Sequence, residues 1–246
     1  MSTPRISVII PLRDRAGARV ENCLRSLLWQ DVDADSFEIV LSDFGSSPKY
    51  ARALVELGER FGARIVRSDT DAIWNRARAL NIGIRAARGE YVFCTDADMI
   101  FQPNFLSTLL AHQDGESFVV CRCRDLPESV PEQAWGEADF DALLAKSDYR
   151  ERLGTGACQM ARRSFFERVH GYDEGYIFWG CEDGDMWHRS QRAGLATRWI
   201  HDHTAMLHQW HPTMRTDRPL LKAMNDTRYH LTKWIVVKNR FGWGQA

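Results

Sequence analysis

The sequence predicts an α/β fold with a mostly parallel central sheet flanked by helices, and three observations carry that expectation. Through the first hundred residues, short apolar runs alternate with segments of helical period, the pattern of strands joined by crossover helices. The runs close on charged or polar residues, as strand ends do when they border a ligand crevice. A chain of 246 residues that is 44% hydrophobic and 26% charged can also bury the core such a sheet needs, and residues 1–246 are expected to form a single domain.

Taken in order, Ile6-Ser7-Val8-Ile9-Ile10 is a buried strand stopped by Pro11, and a helix is expected over 17–29. The second strand falls over 37–41 and its helix over 50–61. A third strand follows over 64–66, a helix over 75–87 is stopped by Arg88-Gly89, and a fourth strand lies over 90–94. Beyond Pro103 the pattern loosens into a helix over 106–110, a strand over 117–123, and a loop with some helix over 125–147 that holds Pro127 and Pro131. Gly154-Thr155-Gly156-Ala157 precedes a short segment and a helix over 163–169, ended by Gly171. A further helix opens near Glu182 and runs to about Ala193, and short strands are expected over 197–200 and 205–207. A long amphipathic helix over 219–240 closes the chain, with Trp234, Ile235 and Val237 on its packing side. Its Lys and Arg residues, with Trp243 beyond, suit contact with a membrane surface, but packing on the domain is the expectation.

Composition narrows the function. A formal net charge of -1 argues against a nucleic-acid binder working by bulk electrostatics, because neutralising many phosphates takes a marked basic excess. Met1-Ser2-Thr3-Pro4-Arg5 runs into the first strand without an apolar leader, and no stretch approaches the ~18 apolar residues of a membrane span, so a soluble, cytoplasmic protein is expected. Cys23, Cys94, Cys121, Cys123, Cys158 and Cys181 form no CxxC pair and no zinc-type spacing, and they read as free thiols of a reducing compartment.

The chemistry concentrates at the strand ends. Arg13-Asp14-Arg15 follows the first strand, Asp43-Phe44-Gly45-Ser46 the second, and Asp96-Ala97-Asp98 the fourth. Arginines and aspartates are common in loops, and Phe-Gly-Ser-Ser is ordinary turn chemistry. Two arginines at one strand end can nevertheless clamp phosphate oxygens, Asp43 can accept a bond from a base or ribose, and three such ends on one rim favour a nucleotide site. Asp96 and Asp98, read as lying on one side of an extended segment, suit a hard divalent cation that shares its ligands with substrate phosphates.

The chain is organised around Phe178-Trp179-Gly180-Cys181-Glu182-Asp183-Gly184-Asp185, three carboxylates in four residues at a helix start. Acids there also serve as caps for free backbone N–H groups. Capping needs one acid, not three, and needs neither Trp179 nor a Gly180 that lets the backbone pass close to something. His208 and His211, in Met206-Leu207-His208-Gln209-Trp210-His211-Pro212, stand beside an apolar run where a histidine is commonly structural. A cation site in want of a nitrogen donor changes that weighing, and His208 is the preferred ligand.

Several of these stretches match one family in order, over about residues 6 to 212. The chain resembles inverting glycosyltransferases of the GT-A (nucleotide-diphospho-sugar transferase) fold, with a family-2-type N-terminal half. Its C-terminal half resembles that of the β-1,4-galactosyltransferases and chondroitin-polymerase-like enzymes. Ile10-Pro11-Leu12-Arg13-Asp14-Arg15 is similar to the nucleotide-binding IPFRNR stretch, Trp74-Asn75-Arg76-Ala77-Arg78-Ala79-Leu80-Asn81-Ile82-Gly83 to FNRAKLLNVG, and Asp96-Ala97-Asp98 to DVD. Trp179-Gly180-Cys181-Glu182-Asp183-Gly184-Asp185 is similar to WGWGGEDDD, shortened by two residues.

The resemblance implies a nucleotide-binding half over 1–100, an acceptor-binding and catalytic half over 101–215, and a C-terminal helix over 216–246. It implies that Pro11, Arg13, Arg15 and Asp43 hold the uridine diphosphate of a UDP-sugar, with Arg76 close by. Asp98 would bind Mn²⁺ (or Mg²⁺), and Asp96 would contact ribose or metal. The family's Met-x-x-His metal pair aligns either with His208-x-x-His211 or with Met206, which would put Gln209 at the histidine position. Trp179, Gly180 and Glu182 would meet the acceptor, Glu182 orienting its sugar, and Asp183 would be the base of an inverting transfer to a glycan, lipid-linked or peptide acceptor. A helix N-terminus lowers the pKa of such a base, whereas Glu182 and exclusion of water raise it. Two other readings compete. A nucleotidyltransferase would carry a glycine-rich loop after the first strand, where Pro11-Leu12-Arg13-Asp14-Arg15 has none. A catalytically inactive sugar-nucleotide-binding module would have lost an acid or metal ligand, yet Asp96, Asp98, Glu182, Asp183 and His208 are all present.

Overall fold

The computed structural model describes residues 3–212 and 218–245. Strand β1 (Ile6–Leu12) is buried along its whole length because every residue but Ser7 is apolar, and Ser7 donates to Glu38 at 2.6 Å. Ile6, Val8, Ile10 and Leu12 enter one core while Ile9 enters the other, as period-2 alternation requires. The chain then runs through α1 (Ala18–Leu28), β2 (Phe37–Phe44), α2 (Pro48–Phe61), β3 (Arg64–Ser68), α3 (Arg76–Ala86) and β4 (Tyr91–Cys94). Pro48 opens α2, where a missing N–H costs nothing, and Gly62 ends it in the left-handed conformation that glycine tolerates. Asn75 caps α3 by accepting a bond from the Arg78 N–H at 2.9 Å.

The second half adds β5 (Met99–Phe101), α4 (Phe105–Ala111), β6 (Ser117–Val120), β7 (Arg124–Asp125), α5 (Phe140–Leu144) and β8 (Asp148–Tyr149). It continues with β9 (Gln159–Arg162), α6 (Arg163–Val169), α7 (Glu182–Arg192), β10 (Ala196–Trp199), β11 (Met206–His208) and α8 (Pro219–Thr232). The main sheet has the order β10-β6-β9-β4-β1-β2-β3, parallel except that β9 runs antiparallel to both of its neighbours. Helices α1, α2 and α4 pack on one face, and α3, α6 and α7 on the other. The mostly parallel sheet between helices is the expected class. Strand order reverses between β1 and β4, so the crevice at their carboxyl ends is the natural ligand site. A second sheet, β5-β11-β7-β8, lies past that crevice over a small core of Ile100, Leu126, Phe140, Leu143 and Leu207.

Four expectations change. The strand expected over 117–123 ends at Val120, and Cys121-Arg122-Cys123 carries the chain into the second sheet. The strand expected over 205–207 is Met206–His208, which places His208 in the ladder itself, opposite Met99. Asp96-Ala97-Asp98 is a turn between β4 and β5 rather than an extended segment, so its carboxylates diverge. The helix expected over 219–240 stops at Thr232. Ile235, Val236 and Val237 are poor helix continuers, and Lys238 turns back to donate to the Thr232 carbonyl and hydroxyl at 2.8 and 2.7 Å. Trp234 and Ile235 consequently face solvent instead of the domain. The half-domain boundary expected at 215/216 lies outside the described residues.

Candidate active site

The rim is built by the ends of three neighbouring parallel strands. Past β1, the Asp14 N–H donates to Ser46 Oγ at 2.8 Å, and Asp14 Oδ1 accepts from the Ser47 N–H and hydroxyl, each at 2.8 Å. The loops after β1 and β2 are thereby locked together. Asp43 is buried at the end of β2, where Oδ1 accepts from the Ser46 N–H at 2.9 Å and Oδ2 from Arg67 of β3. Arg13 donates to the Ala72 carbonyl, and Arg15 reaches Asp98 Oδ2 at 3.4 Å. Pro11 lies buried in the ladder opposite Ser42, so its ring sits in the sheet and not on the rim.

Arg76, the first residue of α3, joins the two acidic motifs. Its guanidinium donates to Asp96 Oδ1 from Nε at 2.9 Å, to Asp183 Oδ1 at 2.6 Å and to the Gly156 carbonyl at 2.9 Å, with Glu182 Oε1 3.9 Å away. Burial disfavours the Arg76 cation, but the charges of Asp183, Asp96 and Glu182 outweigh it and hold its pKa well above the ordinary range. Arg76 thus faces three carboxylates at once. Burial, then the charge of Asp183, pushes Glu182 up to about 7. Burial also raises Asp183, and it prevails over the opposing Arg76 charge. Gln159 of β9 fixes the start of α7 by donating to the Asp183 carbonyl at 2.9 Å. None of the first-turn acids caps α7 with its side chain. Asp185 instead turns into the fold, 3.4 Å from Arg189 and 3.7 Å from Lys238.

The loop before α7 is strained: Phe178, Gly180 and Cys181 have φ of 71°, 102° and 76°. Held conformations of this kind persist where surrounding contacts over-determine them. Here the Phe178 N–H donates to the Trp74 carbonyl at 2.8 Å, and Asn225 of α8 donates to the carbonyls of Ile177 and Trp179 at 2.9 and 3.0 Å. Nothing lies within 4 Å of a Cβ built on Gly180, so glycine serves the backbone angle there and not the close approach expected from the sequence. The Arg152 guanidinium stands 5.3 Å from the Trp179 ring.

On the other side of the Asp96-Asp98 turn, ligand atoms of Asp98, His208 and His211 lie within 4.8 Å of one another. His211 Nε2 is 3.1 Å from Asp98 Oδ2, and His208 Nε2 is 3.9 Å from Asp98 Oδ1. Asp125 Oδ1, 3.0 Å from His208 Nδ1, orients that ring so that Nε2 faces Asp98. Burial would raise Asp98, but the His211 hydrogen bond and the nearby His208 and Arg15 hold it far below the usual carboxylate range. Asp98 Oδ1 is buried with no hydrogen-bond partner, an acceptor left facing the imidazoles. One carboxylate and two imidazoles fit a divalent transition metal. Gln209 faces the opposite way, bonding Asn22 at 2.8 Å and the Arg19 carbonyl at 3.0 Å, and takes no part in this group. Asp96, held by Arg76, is also outside it.

Sequence reading missed Arg67, Asp125 and Gly156. Arg67 is the last residue but one of β3, as Asp43 is of β2, and the strand-end rule that singled out Asp43 applies to it equally. Asp125 sits in a two-residue strand with no periodic signal.

The family described as "Glycosyl transferase family 2" matches residues 7–169, and "N-terminal domain of galactosyltransferase" matches residues 137–211. The O-antigen biosynthesis protein RfbC of Myxococcus xanthus is 32% identical over 82% of this chain and 18% of its own length. The undecaprenyl-phosphate 4-deoxy-4-formamido-L-arabinose transferase of Edwardsiella ictaluri is 29% identical over 44% of this chain and 34% of its own. The chain thus spans about a third or less of these curated relatives. The mannosyltransferase PcManGT of Pyrobaculum calidifontis, solved with GDP-Man and Mn²⁺, superposes with a TM-score of 0.62 at 20% identity, covering 95% of this chain and 64% of that one. A sheet with its crevice at the β1/β4 switch point, and a family match over most of that sheet, lead to one conclusion: the chain belongs to glycosyltransferase family 2, with a GT-A fold.

Proposed function

We propose that this chain is a metal-dependent inverting glycosyltransferase, moving a hexose or N-acetylhexosamine from a UDP-sugar to a glycan, lipid-linked or peptide acceptor. The observation that carries the reading is the division of one turn between two tasks. Asp98 points to His208 and His211, while Asp96 is tied through Arg76 to Asp183. In this reading a leaving-group site and an acceptor-activating acid lie side by side on one crevice.

In this reading Asp98, His208 and His211 hold Mn²⁺ (or Mg²⁺), which when bound supplies positive charge to the diphosphate. Arg13 and Arg15 face the same phosphates, Asp43 and its partner Arg67 receive the nucleoside, and Asp96 lies on the ribose side. Trp179 supports the acceptor sugar and Glu182 orients its hydroxyls. Asp183 takes the proton of the attacking hydroxyl as that oxygen reaches the anomeric carbon from the face opposite the diphosphate. Burial keeps its pKa raised despite Arg76, which favours a base at neutral pH. One displacement inverts the centre, so an α-linked donor gives a β-linked product.

Calorimetry with UDP and GDP, each with and without Mn²⁺, followed by a panel of sugar nucleotides, tests the donor side. Metal-dependent UDP binding is expected, and failure of every nucleotide with every metal would remove the proposal's basis. Asp183→Asn should retain UDP binding while transfer falls by about 10²–10⁴-fold, the range of general-base catalysis. Near-normal transfer by that variant would refute the base assignment.

A further inference from the structure

Helix α8 is amphipathic in the inverted sense. Its polar residues face the domain: Asn225 is buried on the 177–179 carbonyls, Arg228 donates to Asp173 at 2.9 and 2.6 Å, and the Tyr229 hydroxyl lies 2.9 Å from His188 Nδ1. Its apolar residues face out. Leu220 is 80% exposed, Met224 61% and Leu231 74%, and Trp234 just beyond the helix is 67% exposed. At 100° per residue the three helical positions fall within about 40° of one another, a stripe about 16 Å long. Isolated exposed apolar residues need no explanation, but an aligned stripe of them marks an interaction surface.

Charge identifies the occupant. From Arg218 to the C-terminus the sequence holds six Lys or Arg residues against a single Asp, net +5, in a chain whose total is -1. Arg228 and Lys238 turn inward to Asp173 and Lys222 pairs with Asp226 at 2.5 Å, whereas Arg218, Lys233 and Arg240 remain at or near the surface. Arg192 of α7 and Lys233 stand 4.8 and 5.1 Å from the Trp234 ring, and Arg218 stands 5.3 Å from the Phe178 ring. An apolar stripe that leads to an aromatic ring between two cations, on a segment of net positive charge, has the chemistry of a helix lying in a lipid interface. A two-fold dimer through the same face would set these cations against their own copies.

We infer that α8 and the 233–235 turn dock this protein on an anionic lipid bilayer, with the stripe in the headgroup region and the cations on the lipid charges. The inner side of the same helix holds the Trp179 carbonyl, so docking places the 177–181 loop close to the membrane surface. The inference goes beyond the transfer reaction, and its test reads lipid partition instead of activity.

Co-sedimentation of the full chain with phosphatidylcholine vesicles, with and without phosphatidylglycerol, provides that test. Partition should rise about tenfold or more with the anionic lipid and fall as salt is added, since each surface cation contributes and is screened within a Debye length. The double variant Leu220→Glu/Leu231→Glu, both positions pointing to solvent, should keep the parent's melting temperature and lose about tenfold or more in partition. Equal, weak partition on both vesicle types overturns the inference, as does a folded double variant that binds like the parent. A dimer in light scattering that dissociates on Leu231→Glu, with no vesicle binding, would put a second copy in place of the bilayer.

Discussion

At the scale of single residues, the site depends on how closely its acids are held. A Cβ built on Gly156 would come 2.1 Å from Asp183 Oδ2, and its backbone φ is not in the left-handed region. Gly156→Ala should therefore fold, because the tip of one side chain can give way, yet it should displace the carboxylate proposed as the base. Transfer is expected to fall by about 10²-fold, the cost of a misplacement of about 1 Å, while the melting temperature and UDP binding hold. Parent-like turnover would mean that Asp183 acts from another position. Glu182 is a second local test. Burial, then Asp183, raises it from the ordinary 4.5 to about 7, so the folded protein keeps a proton that the unfolded chain has released. That contribution favours folding below pH about 4.5 and is lost as the pH climbs through about 7. Glu182→Gln should then be more stable than the parent near pH 8, by about 1–3 kcal/mol, and indistinguishable from it near pH 4. Urea unfolding at both pH values decides this, and a difference that is absent near pH 8 or that reverses sign would refute it.

Between elements, the 177–181 loop is held from behind by the C-terminal segment. Lys238 is buried, with Nζ 3.2 Å from Asp173 and 3.7 Å from Asp185 of α7, and its N–H donates to the Val169 carbonyl at 3.2 Å. Arg189 of α7, fully buried, donates to the Val236, Gly171 and Val169 carbonyls at 2.8, 2.9 and 2.6 Å. Chain terminus, α7 and the turn after α6 thus form one ionic and hydrogen-bonded unit. Lys238→Met keeps the volume of the stem but leaves two buried aspartates short of a cation, and it should cost about 3 kcal/mol in chemical denaturation. The same substitution should loosen the 177–181 loop, since α8 loses its anchor there, and raise the acceptor KM more than the donor KM. Equal effects on both substrates would show that the C-terminal unit stabilises the fold without positioning the loop. The segment was read from sequence as the continuation of a helix, because apolar spacing over 219–240 is helical. Its true end is set by Lys238 reaching back to Thr232 and inward to Asp173, contacts that spacing cannot register.

For the whole molecule, the proposed cation would complete the crevice. Dialysis against a chelator should abolish UDP binding, and Mn²⁺ should restore it together with about 2.7 kcal/mol of apparent stability at a hundredfold excess over its dissociation constant. Asp98→Asn should prevent that recovery, and binding that persists without metal would leave Asp98, His208 and His211 with a structural part only. No helix among the described residues is long and apolar enough to cross a membrane. What the sequence by itself determined was whatever local periodicity and strand ends encode. The alternating strands and helices up to β4, the polar residues at their ends, and the acids opening α7 were all legible there. The tertiary structure decided the rest, because it depends on contacts between residues far apart in the chain. Strands β5, β7, β8 and β9 are two to four residues long, too short for a period, and exist because neighbours pair with them. Arg76 meets Asp183 across 107 positions, and Asn22 meets Gln209 across 187, which turns Gln209 away from the histidines. The turn at Ala97-Asp98 sends one aspartate to the arginine and the other to the imidazoles, a separation fixed by the passage of the chain from one sheet to the other.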